Sequence, residues 1–140
     1  MRDITREMIK LFKIKQLGYD FMGYQFKNQN QLSFHHLIVP HRECKQMGLG
    51  EGYLFWNGAI LVQSTSHEYL HAIERTNEEM FYDISSEMID ENFLKQIRLE
   101  NLKRIRDILL QFEREHCSDT TKSGKHLIKP EYVSTRIKLD

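Results

Sequence analysis

The sequence predicts a small single-domain α+β protein over residues 1–140: an N-terminal helix (1–18), a central unit of two strands and a helix (32–75), further helices (76–117) and a tail (118–140). Three observations predict it. Apolar residues recur at helical spacing near the start and again in the second half. A β-prone run closed by proline and a longer apolar run lie between them. The hydrophobic content, 40% of 140 residues, is enough for one core, since a chain of this size hides roughly two-thirds of its unfolded surface.

Ile4, Met8, Leu11 and Phe12 follow Asp3, an N-cap candidate, at the spacing of an amphipathic helix of about three turns that stops near Gly18. From Phe21 to Phe34 aromatic and polar residues mix around Lys27–Gln31, a pattern of short extended pieces about a turn, with nothing that suggests catalysis. Leu32–Val39 reads as a strand ended by Pro40, which has no amide proton for a ladder. A long loop, His41–Gly52 with Gly48, Gly50 and Gly52, then leads to a second strand within Tyr53–Val62. Thr65 and Glu68 are spaced as a capping box for a helix from His67 to about Glu74. Met80, Phe81, Ile84 and Met88 line the next helix. Leu94, Ile97, Leu102, Ile105, Ile108, Leu109 and Phe112 line the one after. Beyond Ser118 the chain turns polar, with one ordered piece expected near Tyr132.

Composition narrows the function classes. No run of eighteen apolar residues and no leader-like N-terminal block is present, so neither a membrane span nor secretion is expected, and a cytoplasmic setting follows. Cys44 and Cys117 stand alone, which excludes a thiolate zinc ribbon and gives a disulfide scaffold no support. The formal charge is zero but segregated. Residues 1–67 carry eight basic and five acidic side chains, 68–91 one and eight, and 92–140 eleven and seven. The acidic stretch within 74–91 would repel DNA, so it is expected to point away from any cleft or to face a protein partner. Lys103, Arg104 and Arg106 read as a solvated helix face, with Glu100–Arg104 and Lys103–Asp107 as i,i+4 pairs.

Five of the seven histidines fall within residues 35–71. His67 and His71, four apart on a helix, project from one face and can converge on a cation. His35 and His36 are neighbours on a strand and should point to opposite faces, so only one can join the helical pair. With His35 as third ligand, His36 remains free to move a proton, work suited to an imidazole near neutral pH.

His35-His36-Leu37-Ile38-x-Pro40, then Trp56-Asn57-Gly58-Ala59-Ile60-Leu61, then His67-x-x-x-His71 resembles the ββα-metal motif of the His-Asn-His (HNH) endonucleases, in the three-histidine arrangement of the colicin-type nucleases. The match covers about forty positions. The resemblance implies that His35, His67 and His71 hold one divalent metal (Mg, Mn, Zn or Ni), that His36 is the general base and that Asn57 holds the long loop and orients His36. The implied reaction is hydrolysis of a nucleic-acid phosphodiester, DNA first, by an endonuclease or nickase. Arg42, Lys45 and His41 on the loop are candidates to contact substrate. Many members carry an acidic residue before the base and paired cysteines around a structural zinc. Here His35 occupies that place and the cysteines are missing, so the C-terminal helices must brace the core.

Two other function classes compete. The same fold can serve as a catalytically silent binding or inhibitory module that holds metal without turnover, a reading favoured by the zero net charge. His67-Glu68-Tyr69-Leu70-His71 also satisfies H-E-x-x-H, in which Glu68 would activate water for peptide hydrolysis, with Glu74, Glu78 or Glu79 as third ligand. Against that, Ser64-Thr65-Ser66 predict that the helix begins at the motif, and His35, His36 and Asn57 are left without a role. Trp56 reads as a core anchor, Cys44 as an inert thiol, and His116 and His126 as surface residues.

Overall fold

The computed structural model describes residues 2–48, 55–117 and 127–139. It is an α+β fold. In order come α1 (Asp3–Leu11), α2 (Ile14–Leu17), β1 (Leu32–His36), α3 (His41–Gln46), β2 (Gly58–Val62), α4 (Glu68–Thr76), α5 (Glu78–Leu94), α6 (Leu99–His116) and α7 (Glu131–Ser134). No helix among the described residues is long and apolar enough to cross a membrane. Gly50, Gly52, Tyr53 and Leu54, and the tail from Ser118 to His126, lie outside the described residues.

The opening helix is broken where one continuous helix was expected. Lys13 adopts a left-handed φ of 56°, and α2 ends on left-handed Gly18. Residues two apart on an unbroken helix lie about 200° apart, so Phe12 and Ile14 could not share an inward face. The break lets both bury. Asp3 is not the cap: Arg2 holds that position, and Asp3 pairs with Arg6 inside the first turn.

The two strands run antiparallel, with Leu32 opposite Val62 and His36 opposite Gly58. All five β2 residues are buried, as a short uninterrupted apolar run should be. Helix α1 packs on both strands, and α5 packs on β2 and along α6. The second strand is shorter than expected, because Phe55–Asn57 forms a 3-10 turn in which Asn57 gives its side chain to the backbone following β1. A β-carbon at Gly58 would overlap the Phe34 ring, so that position must stay bare.

Part of the expected long loop is helical. Pro40 holds the N-cap position of α3, Glu43 stands in its first turn, Lys45 in its last, and buried Cys44 anchors it. The expected capping box is also replaced. Gln63–His67 forms one wide π turn ahead of α4, Thr65 is buried with its hydroxyl unbonded, and Ser66 is the residue whose hydroxyl accepts the Val62 amide at 3.0 Å. Glu68 turns instead to Lys129 and to the Tyr132 hydroxyl.

Helices α5 and α6 bury Met80, Phe81, Ile84, Met88, Leu102, Ile105, Leu109 and Phe112, while Leu94 remains exposed. Their charges pair across the helix interface, not along α6 as the i,i+4 spacing suggested. Arg104 donates to Glu87 at 2.7 Å, Arg98 to Asp90 at 3.1 Å, and Asn101 to both acids, while Asp107 is held by Arg106. Of the acidic segment, Glu87 and Asp90 therefore face α6, whereas Glu74 lines the cavity of the histidines, against the expectation that the segment points away from any cleft. Helix α7 closes the back: Tyr132 stacks on Tyr69 with centroids 4.5 Å apart, and Arg136 forks onto Glu113 at 2.8 and 3.0 Å.

Glu91 is fully buried with neither carboxyl oxygen hydrogen-bonded. Burial above all, and then the charges of Asp20, Glu87 and Asp90, push its pKa well above the ordinary carboxylate value. The fold therefore favours the protonated form of Glu91. The stability it contributes is complete below the unfolded pKa and is lost as pH rises through the folded one. Glu91→Gln, which has no proton to lose, should gain melting temperature relative to the parent as pH climbs from 5 to 8. Parallel melting curves across that range would contradict the assignment.

Candidate metal centre

Strand alternation sorts the residues of β1. Ser33 and His35 point toward α4, whereas Phe34 and His36 turn the other way and pack together at 4.9 Å between ring centroids. On the α4 side, the His35 ring lies 4.7 Å from His67 and 4.7 Å from His71, whose rings are 5.0 Å from each other. One nitrogen from each of the three lies within 4.8 Å of the others. His35, His67 and His71 are close enough to hold one metal ion.

The donor set fits such an ion. Nitrogens bound at 2.0–2.1 Å in a tetrahedron lie about 3.4 Å apart, so small side-chain rotations close the cluster. His35 Nε2 is buried without a hydrogen-bond partner, a vacancy that native interiors rarely leave. Burial first, and then the neighbouring imidazoles, hold His35 down at about 2 and His67 at about 4, so the neutral imidazole, with one N–H and one lone pair, is favoured in both. Three imidazoles without a carboxylate suit zinc or nickel better than magnesium, which prefers oxygen.

The Nδ1 atoms of the helical pair each have a polar neighbour. His67 Nδ1 lies 2.6 Å from Ser33 Oγ, and His71 Nδ1 lies 3.4 Å from Glu74 Oε1. Glu74 thus backs His71 from outside and is not a third ligand, as the H-E-x-x-H reading would have had it.

His36 stands at the end of β1, half-buried and outside the cluster. A cavity of about 250 Å³ is lined by His35, His36, His41, His67, His71 and Glu74 among others. Burial, followed by the charges of His41 and Arg2, holds His36 at about 4. Asn57 is completely buried. Its Oδ1 accepts from the Ile38 and Val39 amides at 2.8 Å each, and its Nδ2 donates to the Val39 carbonyl at 2.8 Å. It clamps the chain two residues past His36, so its hold on the imidazole runs through the backbone.

His41 is exposed at the start of α3 with its ring 5.1 Å from His36. Arg42 and Lys45 are exposed on the same helix and line neither the 250 Å³ cavity nor its neighbour. Trp56 is half-buried and its carbonyl accepts from Asn92. Cys44 is buried, with Sγ 3.8 Å from the Val39 carbonyl, and His116 lies against Phe112.

Two residues at the site escaped the sequence reading, and a third was given another role. Arg2 places its guanidinium 5.6 Å above the Phe34 ring, brought there by the docking of α1, for which local sequence carries no signal. Ser33 was legible in principle, two positions before His35 on a strand. Glu74 was noticed, but as a ligand and not as a backing group.

Zinc or nickel titrated into the metal-free protein should bind one ion per chain. His35→Ala and His67→Ala should each abolish that binding and His36→Ala should spare it, as read by calorimetry. Equal loss in all three variants would remove the distinction between ligands and base. Set against family models, curated proteins and solved structures, the chain matches none significantly, so its own residues carry the functional assignment.

Proposed function

We propose that this chain is a metal-dependent endonuclease or nickase of the HNH type that hydrolyses phosphodiester bonds in nucleic acid, DNA first. The observation that carries the reading is His36. It is the one imidazole on the 250 Å³ cavity that follows directly on a ligand candidate in β1, stays out of the three-histidine cluster and faces the same opening. Hydrolysis of a phosphodiester needs a proton acceptor for the attacking water on one side of phosphorus and charge neutralisation on the other. His36 is the acceptor. His35, His67 and His71 would hold a divalent ion, which when bound supplies Lewis-acid polarisation of the phosphate and stabilises the leaving oxygen.

The low basicity of His36 belongs to the protein without an anion. Burial first, and then the charges of His41 and Arg2, lower its pKa; a phosphate beside them would offset only the charge part of that shift and move His36 upward, in the direction a general base at neutral pH requires. Arg2 and His41 would then bear on the phosphate itself, on the same side as the base. Asn57 keeps Leu37–Val39 from shifting and so fixes where His36 enters the cavity.

The protease reading ranks lower because the Glu68 carboxylate is taken by Lys129 and by Tyr132, whose hydroxyl donates to it at 2.8 Å. A silent binding module remains the second reading, favoured by the zero formal charge.

Supercoiled plasmid incubated with the parent and Mg²⁺, Mn²⁺, Zn²⁺ or Ni²⁺ should be nicked. His36→Ala should lose about 10²–10⁴ of that rate, the usual worth of a general base, while still binding metal. Intact plasmid with both proteins and retained metal would transfer the assignment to the binding module. Casein cleavage abolished by Glu68→Ala, with no nicking by the parent, would transfer it to the protease.

A further inference from the structure

We propose that the groove between the α1–α2 junction and the turn after α5 docks an acidic amphipathic helix of a partner protein, its apolar side chains entering between Leu11, Leu17 and Leu94 and its carboxylates meeting Lys13 and Lys95. The groove shares no residue with the histidine cavity. The inference therefore goes beyond the nuclease reading and stands whether or not the chain cuts nucleic acid.

Exposed apolar surface is concentrated here. Ten large apolar side chains are exposed among the described residues, and five of them, Leu11, Leu17, Phe93, Leu94 and Leu99, come from two short stretches of chain. Both stretches contribute walls to one cavity of about 350 Å³, where Leu11 and Leu17 stand with Leu94. Apolar residues scattered singly over a surface need no explanation, whereas a contiguous set marks a site of contact.

The lysines add a second, independent sign. Lys13 and Lys95, with φ of 56° and 55°, are the two non-glycine residues with positive φ among the described residues, and both line this groove. One follows the end of α1 and the other the end of α5, places where glycine adopts the left-handed conformation with least strain. Burial of Phe12 and Ile14 calls for the turn at position 13, but it does not call for a lysine in it. What the two lysines share is the groove.

The lining selects the occupant. No acidic side chain lines the groove among the described residues, so the two ammonium groups favour an anionic partner, and the three leucines require that partner to have an apolar face as well. Single-stranded nucleic acid wants aromatic faces for its bases, and the ring of Phe12 is only 3% exposed. No strand residue lines the groove, so a partner strand has no ladder to extend. Recognition by a helix laid in a groove, with anchors at i, i+3 or i+4 and i+7, is the mode that remains.

A synthetic helical peptide with leucines at that spacing on one face and glutamates on the other tests this, beside a version with lysines in place of the glutamates. Calorimetry should show binding of the acidic peptide alone, and amide chemical-shift changes in ¹⁵N-labelled protein should be confined to residues 11–17 and 93–97. The double variant Lys13→Gly, Lys95→Gly should melt no lower than the parent, since glycine relaxes both turns, yet bind the peptide about tenfold more weakly, the worth of two exposed ion pairs. Leu17→Ala with Leu94→Ala, both exposed in the free protein, should weaken binding while leaving the fold intact. Absence of binding, equal binding of the lysine peptide, unchanged affinity in either double variant, or shifts mapped elsewhere would each overturn the proposal. So would binding to anionic phosphatidylglycerol vesicles that both double variants lose while the parent ignores the peptide, a result that assigns this face to a membrane surface.

Discussion

The buried carboxyl of Asp20 is the junction on which the site's geometry depends. It is wholly inside the protein. One oxygen accepts the Met22 and Tyr24 amides at 2.9 and 3.0 Å, and the other accepts the Val62 amide at 2.8 Å and the Ser66 hydroxyl. Burial alone would push such a group far up. The four donors pull it back, and the result is about 6. Hydrogen bonds to a charged group are each worth roughly 1.5–3 kcal/mol net, so this one side chain ties the loop after α2 to the last residue of β2 and to the π turn. His67 follows Ser66 directly. The distance from β1 to the first helical histidine is therefore set by a residue that is itself no part of the cavity.

Given that anchor, the period of two in β1 does the rest. Ser33 and His35 go to the α4 face, Phe34 and His36 to the other, and His36 is kept apart from the three clustered imidazoles. Gly58 is needed for the second half of that split. It sits opposite His36 in the register, and the space a side chain would fill there belongs to the Phe34 ring against which His36 rests. The wide turn at Gln63–His67 has a matching logic, since π turns insert a residue's worth of rotation into a helix and often occur at functional sites.

What could be read in the sequence were the features with a short period: the two long C-terminal helices, the strand before Pro40, the helical His67/His71 pair, and the ordered piece at Tyr132. The helical fate of His41–Gln46 was hidden because three glycines just beyond it read as loop, while burial of Cys44 was unforeseeable locally. The left-handed turn at Lys13 resolves a conflict between two inward-facing residues that exists only once the sheet is in place. Thr65 and Glu68 have the spacing of a capping box, yet Asp20 offers Ser66 a better partner and the tail claims Glu68. Asp20 and Glu91, polar in the sequence and buried in the fold, are legible only in three dimensions.

The zero formal charge also reads differently once positions are known. Of the acidic stretch, Glu87 is paired with Arg104 and Asp90 with Arg98, and burial disfavours the charged form of Glu91. Glu68, just ahead of it, is paired with Lys129. Those groups contribute little field at a distance, because opposite charges in contact cancel beyond the Debye length of about 8 Å at physiological ionic strength. At the cavity the balance is local. His36 and His41 line it, Arg2 lies over the ring of Phe34, and Glu74, the sole acidic side chain lining it among the described residues, backs His71. Imidazoles add no negative charge of their own, so a divalent ion held there would keep its full charge toward an anion. On the proposed reading, attraction for a phosphate would be generated at the cavity itself, by a bound ion together with Arg2, without the broad basic surface that net charge would have revealed.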